Sequence, residues 1–384
     1  MLIQATKKLR DELKIKNLDQ KERPPLFSWH ANFLRIKRRK VVVLINDASS
    51  YTIVLYGLKK DDFVNFADRV KEAIKRAFKI EGIKDSLIEK YLKEFKNFSY
   101  YKTKNRSFVG RLSNICRELD FYSDEFNEKI IFQDEVSRKI SKGLVKDLDS
   151  KNYFSPKDRL YKELAEYYEE ENIINTKAAI LKIELELGDF EVWRKIIVPI
   201  NYNFRYLHKI IQKLFNWQDY HLHEFFIYSE EKDDTKNWNQ SEYHRDGYKA
   251  ILNILPDQEN LEYNKYELNF EKEDFKLAIE NEVKLKEVLP ARIKYIYDYG
   301  DNWQHYIKTE KIIDDYISNQ PKFLEGSGTA PPEDAGGING FSKFMKIISD
   351  SSHEDYESML EWAETQGFRE YDPEKIKSDF KLYL

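Results

Sequence analysis

The sequence predicts an α+β protein with two domains, each built on a small, mainly antiparallel sheet packed with helices. Strand-like and helix-like segments follow one another without the β-α-β alternation of a doubly wound sheet. Hydrophobic residues make up 41% and aromatic residues 15% of the 384 residues, which is enough for real cores. The charge changes sign along the chain: residues 1–150 carry 33 basic and 22 acidic residues, a net +11. Residues 151–384 carry 31 and 46, a net −15, which indicates two modules.

The first predicted domain, residues 1–150, opens with strands rich in β-branched and aromatic residues. These strands are Leu26–Ile36, Val41–Asp47 and Tyr51–Tyr56. Apolar residues at spacings of three and four then predict helices. These helices are Asp61–Lys79, Ser86–Phe95 and Lys102–Asp120. Residues 151–176 are predicted to be a helical linker, whose helix Pro156 opens.

The second predicted domain, residues 177–384, begins where an alternating pattern replaces the charged linker. Its predicted strands are Ile180–Leu187, Val192–Pro199, His221–Ile227 and Ala291–Ile307, the last interrupted by Gly300. Its predicted helices are Phe204–Phe215, 272–287, Phe341–Ile348, His353–Glu364 and Pro373–Phe380. A charged loop is predicted over 230–247, and a loop rich in glycine and proline over 326–340.

Cysteine usage and hydropathy predict a cytoplasmic protein that does not enter a membrane. Cys116 is the single cysteine, so no disulfide can form within the chain, as is usual in a reducing compartment. The first ten residues carry charges where a signal peptide needs an apolar stretch. The longest obvious apolar run, Val41–Ile45, is far shorter than the roughly 20 residues of a membrane span.

A basic cluster between the first two strands is the predicted contact for nucleic acid or another anionic partner. It places five basic residues within six positions: Arg35, Lys37, Arg38, Arg39 and Lys40. At a hairpin tip such residues contact phosphates without sequence preference. Two alternatives stay open. Basic residues also protect exposed strand ends, and the basic half of the chain can attract its own acidic half.

Histidines and carboxylates in the second domain are the candidates for a ligand or metal surface. His221 and His223 are two residues apart on a predicted strand, so both side chains should point to one face. The candidate residues are His221, His223, Asp298, Asp301, Trp303, His305, Glu333 and Asp334. The three histidines are the predicted ligands of a divalent metal, which could activate a bound water. The alternative is structural: hydrogen-bonded histidines, carboxylates that close turns, and an aspartate that locks a loop.

Ordered motifs in the second domain carry a family resemblance. They are Trp193-Arg194 before Val198-Pro199, Leu207-His208 before His221–Phe225, then Tyr297–His305 and Pro331–Phe341. Together they resemble the plasmid pRiA4b open-reading-frame-three-like family, whose members are described as insertion-sequence passenger proteins. The resemblance implies an association with mobile genetic elements and no established activity. Ala330 and Ala335 stand where the family often has cysteine, which argues against metal binding through sulfur. Phe341 stands where the family has tyrosine, which argues against a hydroxyl role at that position.

The N-terminal residues, up to residue 120, resemble a separate domain of unknown function that is sometimes fused to this family. The motifs are Trp29–Asn32, Ile45–Asp47, Gly57–Lys60 and Arg106–Gly110. The sequence as a whole predicts a non-enzymatic binding or adaptor protein associated with mobile elements. The alternative prediction is a metal-dependent hydrolase or nuclease that uses the histidine and carboxylate residues of the second domain. The oligomeric state is left open.

Overall fold

The structure is a computed structural model, and it describes residues 1–16, 18, 22–104, 106–147, 150–232, 244–267 and 275–383. The chain divides into two compact units, Met1–Asn175 and Thr176–Leu384. Both units combine sheets with helices, which confirms the predicted α+β class. Most of the predicted charged loop over 230–247 lies outside the described residues.

The first unit contains a five-stranded sheet, a small two-stranded sheet and the helices around them. The strands are β1 (Leu2–Ala5), β2 (Ser28–Ile36), β3 (Arg39–Asn46), β4 (Thr52–Tyr56), β5 (Ser99–Lys102), β6 (Val145–Lys146) and β7 (Tyr153–Phe154). The helices are α1 (Lys7–Leu13), α2 (Lys60–Val64), α3 (Phe66–Ile80), α4 (Asp85–Leu92), α5 (Arg106–Glu118), α6 (Asp134–Lys142) and α7 (Pro156–Tyr168). The 3₁₀ turn Lys93–Asn97 extends α4.

The five-stranded sheet has the order β4-β3-β2-β1-β5. The predicted strands β2, β3 and β4 pair in an antiparallel fashion, whereas β1 pairs in parallel with both β2 and β5. The sequence analysis predicts neither β1 nor β5, because each is only four residues long and too short for a periodic pattern. Alternate residues of β3 face opposite sides: Val42 and Leu44 enter one core, and Val41 and Val43 enter another.

Helix α7 belongs to the core of the first unit. Leu160 and Leu164 are fully buried in the cluster that also contains Trp29 and Phe78. The segment predicted as a helical linker therefore packs with the N-terminal sheet and its helices, and the second unit begins at Thr176.

The second unit contains a sheet of eight strands in the order β12-β11-β10-β13-β14-β8-β9-β15. The strands are β8 (Thr176–Leu185), β9 (Val192–Pro199), β10 (His223–Lys232), β11 (Tyr248–Leu255), β12 (Lys276–Ile279), β13 (Ile293–Tyr297), β14 (Trp303–Tyr316) and β15 (Lys322–Ser327). The helices are α8 (Phe204–Phe215), α9 (Gln258–Glu267), α10 (Gly337–Ile348), α11 (Tyr356–Thr365) and α12 (Pro373–Tyr383). Every strand pair is antiparallel except β11 with β12.

The predicted helix over 272–287 is wrong for the described part of that segment. Residues Lys276–Ile279 form β12, which lies parallel to β11, and a 3₁₀ turn follows at Leu285–Glu287. Pairing with a strand more than 20 residues earlier decides this conformation, and a local periodicity cannot report such a pairing.

Arg194 connects three parts of the second unit without any carboxylate partner in the described structure. Its guanidinium donates to the carbonyl oxygens of Leu214, Trp193, Ser327 and Gly328 at 2.6–3.1 Å. Only 2% of the residue is exposed, and burial lowers its pKa to about 10. The end of α8, strand β9 and the end of β15 are thereby held together.

No helix among the described residues combines the length and the apolar character that crossing a membrane requires.

Candidate metal centre in the C-terminal unit

The hairpin loop between β13 and β14 presents an aspartate in an unusual backbone conformation. Tyr297 pairs with Trp303, so residues 298–302 form the loop. Asp298 has a φ of 59°, in the left-handed region that aspartate tolerates better than most residues. Its backbone N–H donates to the carbonyl of Leu222, and its Oδ1 accepts from Gly300 N–H, both at 2.9 Å. The other oxygen of this buried carboxylate, Oδ2, is the one that lies near His221.

A second loop brings Asp334 to the same place. Asp334 also has a positive φ, 58°, and Gly336 N–H donates to Asp301 Oδ2 at 3.0 Å. Gly337 has a φ of 67°, and a Cβ there would lie 2.9 Å from the backbone oxygen of Asp301. The close approach of the two loops therefore needs a residue without a side chain at position 337.

His221 lies between the two aspartates and completes the first cluster. Its Nε2 is 3.3 Å from Asp334 Oδ1 and 3.7 Å from Asp298 Oδ2. This nitrogen is buried and makes no hydrogen bond of acceptable geometry in the described structure. The side chain of Asp334 is 55% exposed, so the cluster is open to solvent on one side. The three ligand atoms lie within 4.8 Å of one another, a spacing that can hold a metal ion.

A second cluster lies on the neighbouring residues and contains His208, Asp219 and His223. The rings of His208 and His223 are stacked, with centroids 3.6 Å apart and planes 3° from parallel. His208 bonds Asp219 through Nε2 and the Tyr295 hydroxyl through Nδ1, both at 2.7 Å. His223 Nε2 bonds Glu280 Oε2 at 2.9 Å. Because both nitrogens of His208 already have partners, this cluster needs no metal ion to satisfy it.

The hydrogen bonds of the stacked pair define the proton positions. A carboxylate only accepts, so Nε2 of His208 carries the proton toward Asp219, and Nδ1 accepts from Tyr295. The Tyr295 oxygen in turn accepts from the amide of Gln212 at 3.0 Å. Burial lowers the pKa of His208, against the opposing effect of its bond to Asp219. The stacked His223 ring also lowers the pKa of His208, because two charged imidazoles at this distance would repel one another.

Three other predicted site residues have structural contacts instead. Glu333 is 1% exposed and accepts from the Tyr297 hydroxyl and from Gln218 N–H. Asp301 accepts from the loop amide of Gly336. Trp303 is 1% exposed within the apolar core. These residues position the loops and leave the ligand atoms of the first cluster free.

The structure does not bring the three predicted metal ligands His221, His223 and His305 together in one cluster. His221 precedes β10, which begins at His223, so the two side chains enter different clusters. His305 is fully buried among Phe215, Trp217 and Tyr295, with ring centroids 4.7–5.2 Å apart. Burial lowers its pKa to about 3, and it lies in neither cluster.

The basic hairpin tip between β2 and β3 is largely neutralised. Lys37 and Arg38 have positive φ values of 46° and 66° and form the turn. Lys37, Arg39 and Lys40 contact Asp124, Glu128 and Glu12, respectively. Arg35 donates to the carbonyl of Arg38 at 3.5 Å and lies over the Phe33 ring. Within the described residues, Arg35 and Arg38 are the cations of this cluster without a carboxylate partner.

Sequence reasoning missed His208, Asp219, Glu280 and Tyr295. His208 lies on the otherwise apolar stripe of α8, and Asp219 lies two residues before His221, so their spacing to the named histidines was a usable signal. Glu280 follows β12, in the segment predicted as helix, and gave no such signal.

The fold and the site together define an α+β protein with a histidine–aspartate cluster on the loops at one end of its larger sheet. Residues 177–379 match the plasmid pRiA4b ORF-3-like proteins, and the chain belongs to this family. Residues 2–159 match a domain of unknown function, DUF6933.

Two similar proteins accompany these family matches. "Uncharacterized protein y4hQ" of Sinorhizobium fredii (strain NBRC 101917 / NGR234) is 28% identical over 197 residues, which are 51% of this chain and 84% of that protein. The crystal structure of "Protein of Unknown Function MM3350 from Methanosarcina mazei Go1" is 30% identical, with a TM-score of 0.39. The match covers 52% of this chain and 97% of the chain in that crystal structure. These relatives carry no activity in their names.

Proposed function

We propose that the C-terminal unit binds a divalent transition-metal ion through His221, Asp298 and Asp334 and uses it to activate water for hydrolysis. The observation that carries this proposal is the buried Nε2 of His221, which has no hydrogen bond although two carboxylates lie within 3.7 Å. A buried polar atom without a partner costs free energy unless a ligand satisfies it. A metal ion would satisfy the nitrogen and both carboxylates at once.

The two distances from His221 to the carboxylate oxygens can be compared with the geometry of such an ion. With ligand bonds of about 2.1 Å, neighbouring ligands of a tetrahedral or octahedral ion are separated by about 3.0–3.4 Å. The His221–Asp334 distance of 3.3 Å lies in this range, and the His221–Asp298 distance of 3.7 Å needs a small contraction. One imidazole and two carboxylates suit Zn²⁺, Mn²⁺ or Fe²⁺, and do not suit soft ions such as Cu⁺.

Three protein ligands leave coordination positions for water and substrate, as in catalytic rather than structural metal sites. A bound divalent ion lowers the pKa of its water toward neutrality and supplies a nucleophile. The exposed side of Asp334 is where a substrate would approach. The internal bonds of Asp298 and Asp301 keep both loops in place, which limits the reorganisation that metal binding needs.

The non-enzymatic binding function predicted from the sequence is the second candidate. Large exposed apolar side chains close in sequence to the cluster residues favour it: Tyr220, Leu222, Tyr299 and Ile338 are 69%, 50%, 50% and 40% exposed. Exposed apolar groups beside a polar site are available to contact another molecule. Such a surface could equally well bind a substrate, so the two functions are distinguished by whether the protein catalyses hydrolysis.

The test begins with metal content. Purified full-length protein, depleted with a chelator and titrated with Zn²⁺ or Mn²⁺, should bind one equivalent. His221→Ala and Asp334→Asn should each weaken binding about 100-fold, because the first removes a ligand and the second replaces an anionic ligand with a neutral amide. His353→Ala is the matched control, because His353 lies 4.0 Å from Asp355 in an exposed histidine–aspartate pair. Equal affinity in all variants would refute the site.

Hydrolysis is tested separately on the metal-loaded protein. Cleavage of bis(p-nitrophenyl) phosphate and p-nitrophenyl acetate should depend on the metal and should disappear in Asp334→Asn. Stoichiometric metal binding without cleavage of either substrate would favour the binding function over the hydrolase.

A further inference from the structure

A cleft on the N-terminal unit has the character of a nucleotide-binding surface. It lies between the first turns of α3 and the end of α4 with its 3₁₀ extension, and its volume is about 350 Å³. The charged and aromatic residues that line it are Asp68, Lys71, Glu89, Lys93, Phe95, Lys96 and Phe98. Ligand pockets usually have volumes of about 300–1,000 Å³, so the cleft is large enough for one nucleotide.

Three lysines around this cleft are free to bind an anion. Lys71, Lys93 and Lys96 are exposed, and none has a carboxylate within 4.0 Å in the part of the chain that the structure describes. Of the two carboxylates that line the cleft, Glu89 is bound by Lys75 at 3.0 Å. The cleft therefore has an excess of positive charge.

The hairpin tip, which the sequence favoured for anion binding, has fewer unpaired cations than the cleft. Three of its five cations already contact carboxylates. A phosphate that approached them would have to displace these partners, whereas the cleft lysines exchange only water and counterions.

Two phenylalanine rings line the cleft together with the lysines. Phe95 and Phe98 are half-buried, with ring centroids 5.7 Å apart and planes 16° from parallel. Tyr100 packs edge-on against Phe98 at 5.0 Å and holds that ring in place. Aromatic rings beside unpaired cations are the combination that proteins use to bind single-stranded nucleic acid, because the bases stack and the phosphates pair.

We propose that this cleft binds a nucleotide unit of single-stranded nucleic acid, with phosphates on Lys71, Lys93 and Lys96 and a base against Phe95 and Phe98. An acidic peptide would satisfy the lysines and would leave the rings unused. The net +11 charge of residues 1–150 attracts a polyanion to this unit over a longer range. The proposal is independent of the metal site in the second unit.

The test is fluorescence anisotropy of a labelled ten-nucleotide oligo-dT strand with the metal-depleted full-length protein, at 50 and 200 mM salt. Lys71→Gln/Lys93→Gln/Lys96→Gln should weaken binding at least 10-fold. It should also reduce the steepness of the dependence of log affinity on log salt by about 2, since each single-strand contact contributes about 0.7. Arg35→Gln/Arg38→Gln, which changes the unpaired hairpin cations, should alter affinity less than 2-fold.

Phe95→Leu separates stacking from charge. It keeps an apolar side chain but removes the ring, so affinity should fall about 5-fold or more while the salt dependence stays unchanged. Competition with free adenosine monophosphate distinguishes a strand from a free nucleotide as the source of the ligand, and tighter binding of the strand is expected. Absence of strand binding by the wild type, or weakening only in the hairpin variant, would overturn the proposal. Circular dichroism melting of each variant confirms that it is folded.

Discussion

Replacement of His305 by phenylalanine should make the protein less sensitive to acid. The imidazole is fully buried, three aromatic rings surround it, and neither ring nitrogen makes a hydrogen bond of acceptable geometry. Phenylalanine fits the same environment without a group that can take up a proton. His305→Leu is a smaller apolar replacement that guards against overpacking.

The magnitude follows from two pKa values. An exposed histidine titrates near 6.5, whereas burial lowers the pKa of His305 to about 3. Below pH 6.5 the unfolded chain therefore binds a proton at this residue that the folded chain does not bind. The free energy of unfolding falls as the pH falls, by about 1 kcal/mol at pH 5.5 and about 3 kcal/mol at pH 4.5 relative to pH 8.

The assay is urea unfolding at pH 8, 6.5, 5.5 and 4.5, monitored on the transition of the second unit. Between pH 8 and pH 4.5 the free energy of unfolding of the wild type should fall by about 3 kcal/mol more than that of His305→Phe. His353→Leu removes an exposed histidine and should lose as much as the wild type. If the free energy of unfolding depends on pH in the same way for the wild type and His305→Phe, the conclusion that His305 is buried as a neutral imidazole is refuted. Loss of metal binding in His305→Phe would restore this residue as a ligand.

Three further substitutions test the fold and the site. Arg194→Met should destabilise the second unit by about 3–5 kcal/mol, because four carbonyl oxygens lose a charged donor. In thermal unfolding, a fall in the midpoint no larger than that of a surface variant would contradict this role. Gly337→Ala should lower the free energy of unfolding by about 1–2 kcal/mol and weaken metal binding, because φ is positive and a Cβ would lie too close to Asp301. Unchanged metal affinity would show that this loop does not position the metal ligands. Leu160→Ala should cost about 2–5 kcal/mol in urea unfolding of the first unit, whereas a solvated linker would show almost no effect.

Sequence reasoning predicted the elements whose own residues determine their conformation. Helix α8 begins and ends at the predicted residues, because its apolar stripe, its Asn203 cap and a left-handed Asn216 all lie within the segment. Strand β12 and strand β1 depend on partners far away in the chain, and short segments carry too little pattern to reveal such partners. The predicted α+β class was robust because it depends on the order of the long elements.

The candidate site shows the same limit at the level of single atoms. The sequence identified His221, Asp298 and Asp334 by residue type, but it grouped His221 with His223 because both were assigned to one strand. In the structure that strand begins at His223, whose Nε2 bonds Glu280, a residue that sequence reasoning had placed in a helix.

The distinction between the two clusters therefore depends on hydrogen bonding and not on composition. His208 and His223 have carboxylate partners that fix their protons, and a metal ion there would have to break existing bonds to Asp219, Tyr295 or Glu280. The Nε2 of His221 has two carboxylates nearby and no bond to break. Ligand exchange at the first cluster therefore replaces only water. A metal ion should select His221 over the stacked pair, even though the second cluster offers two imidazoles and the first only one.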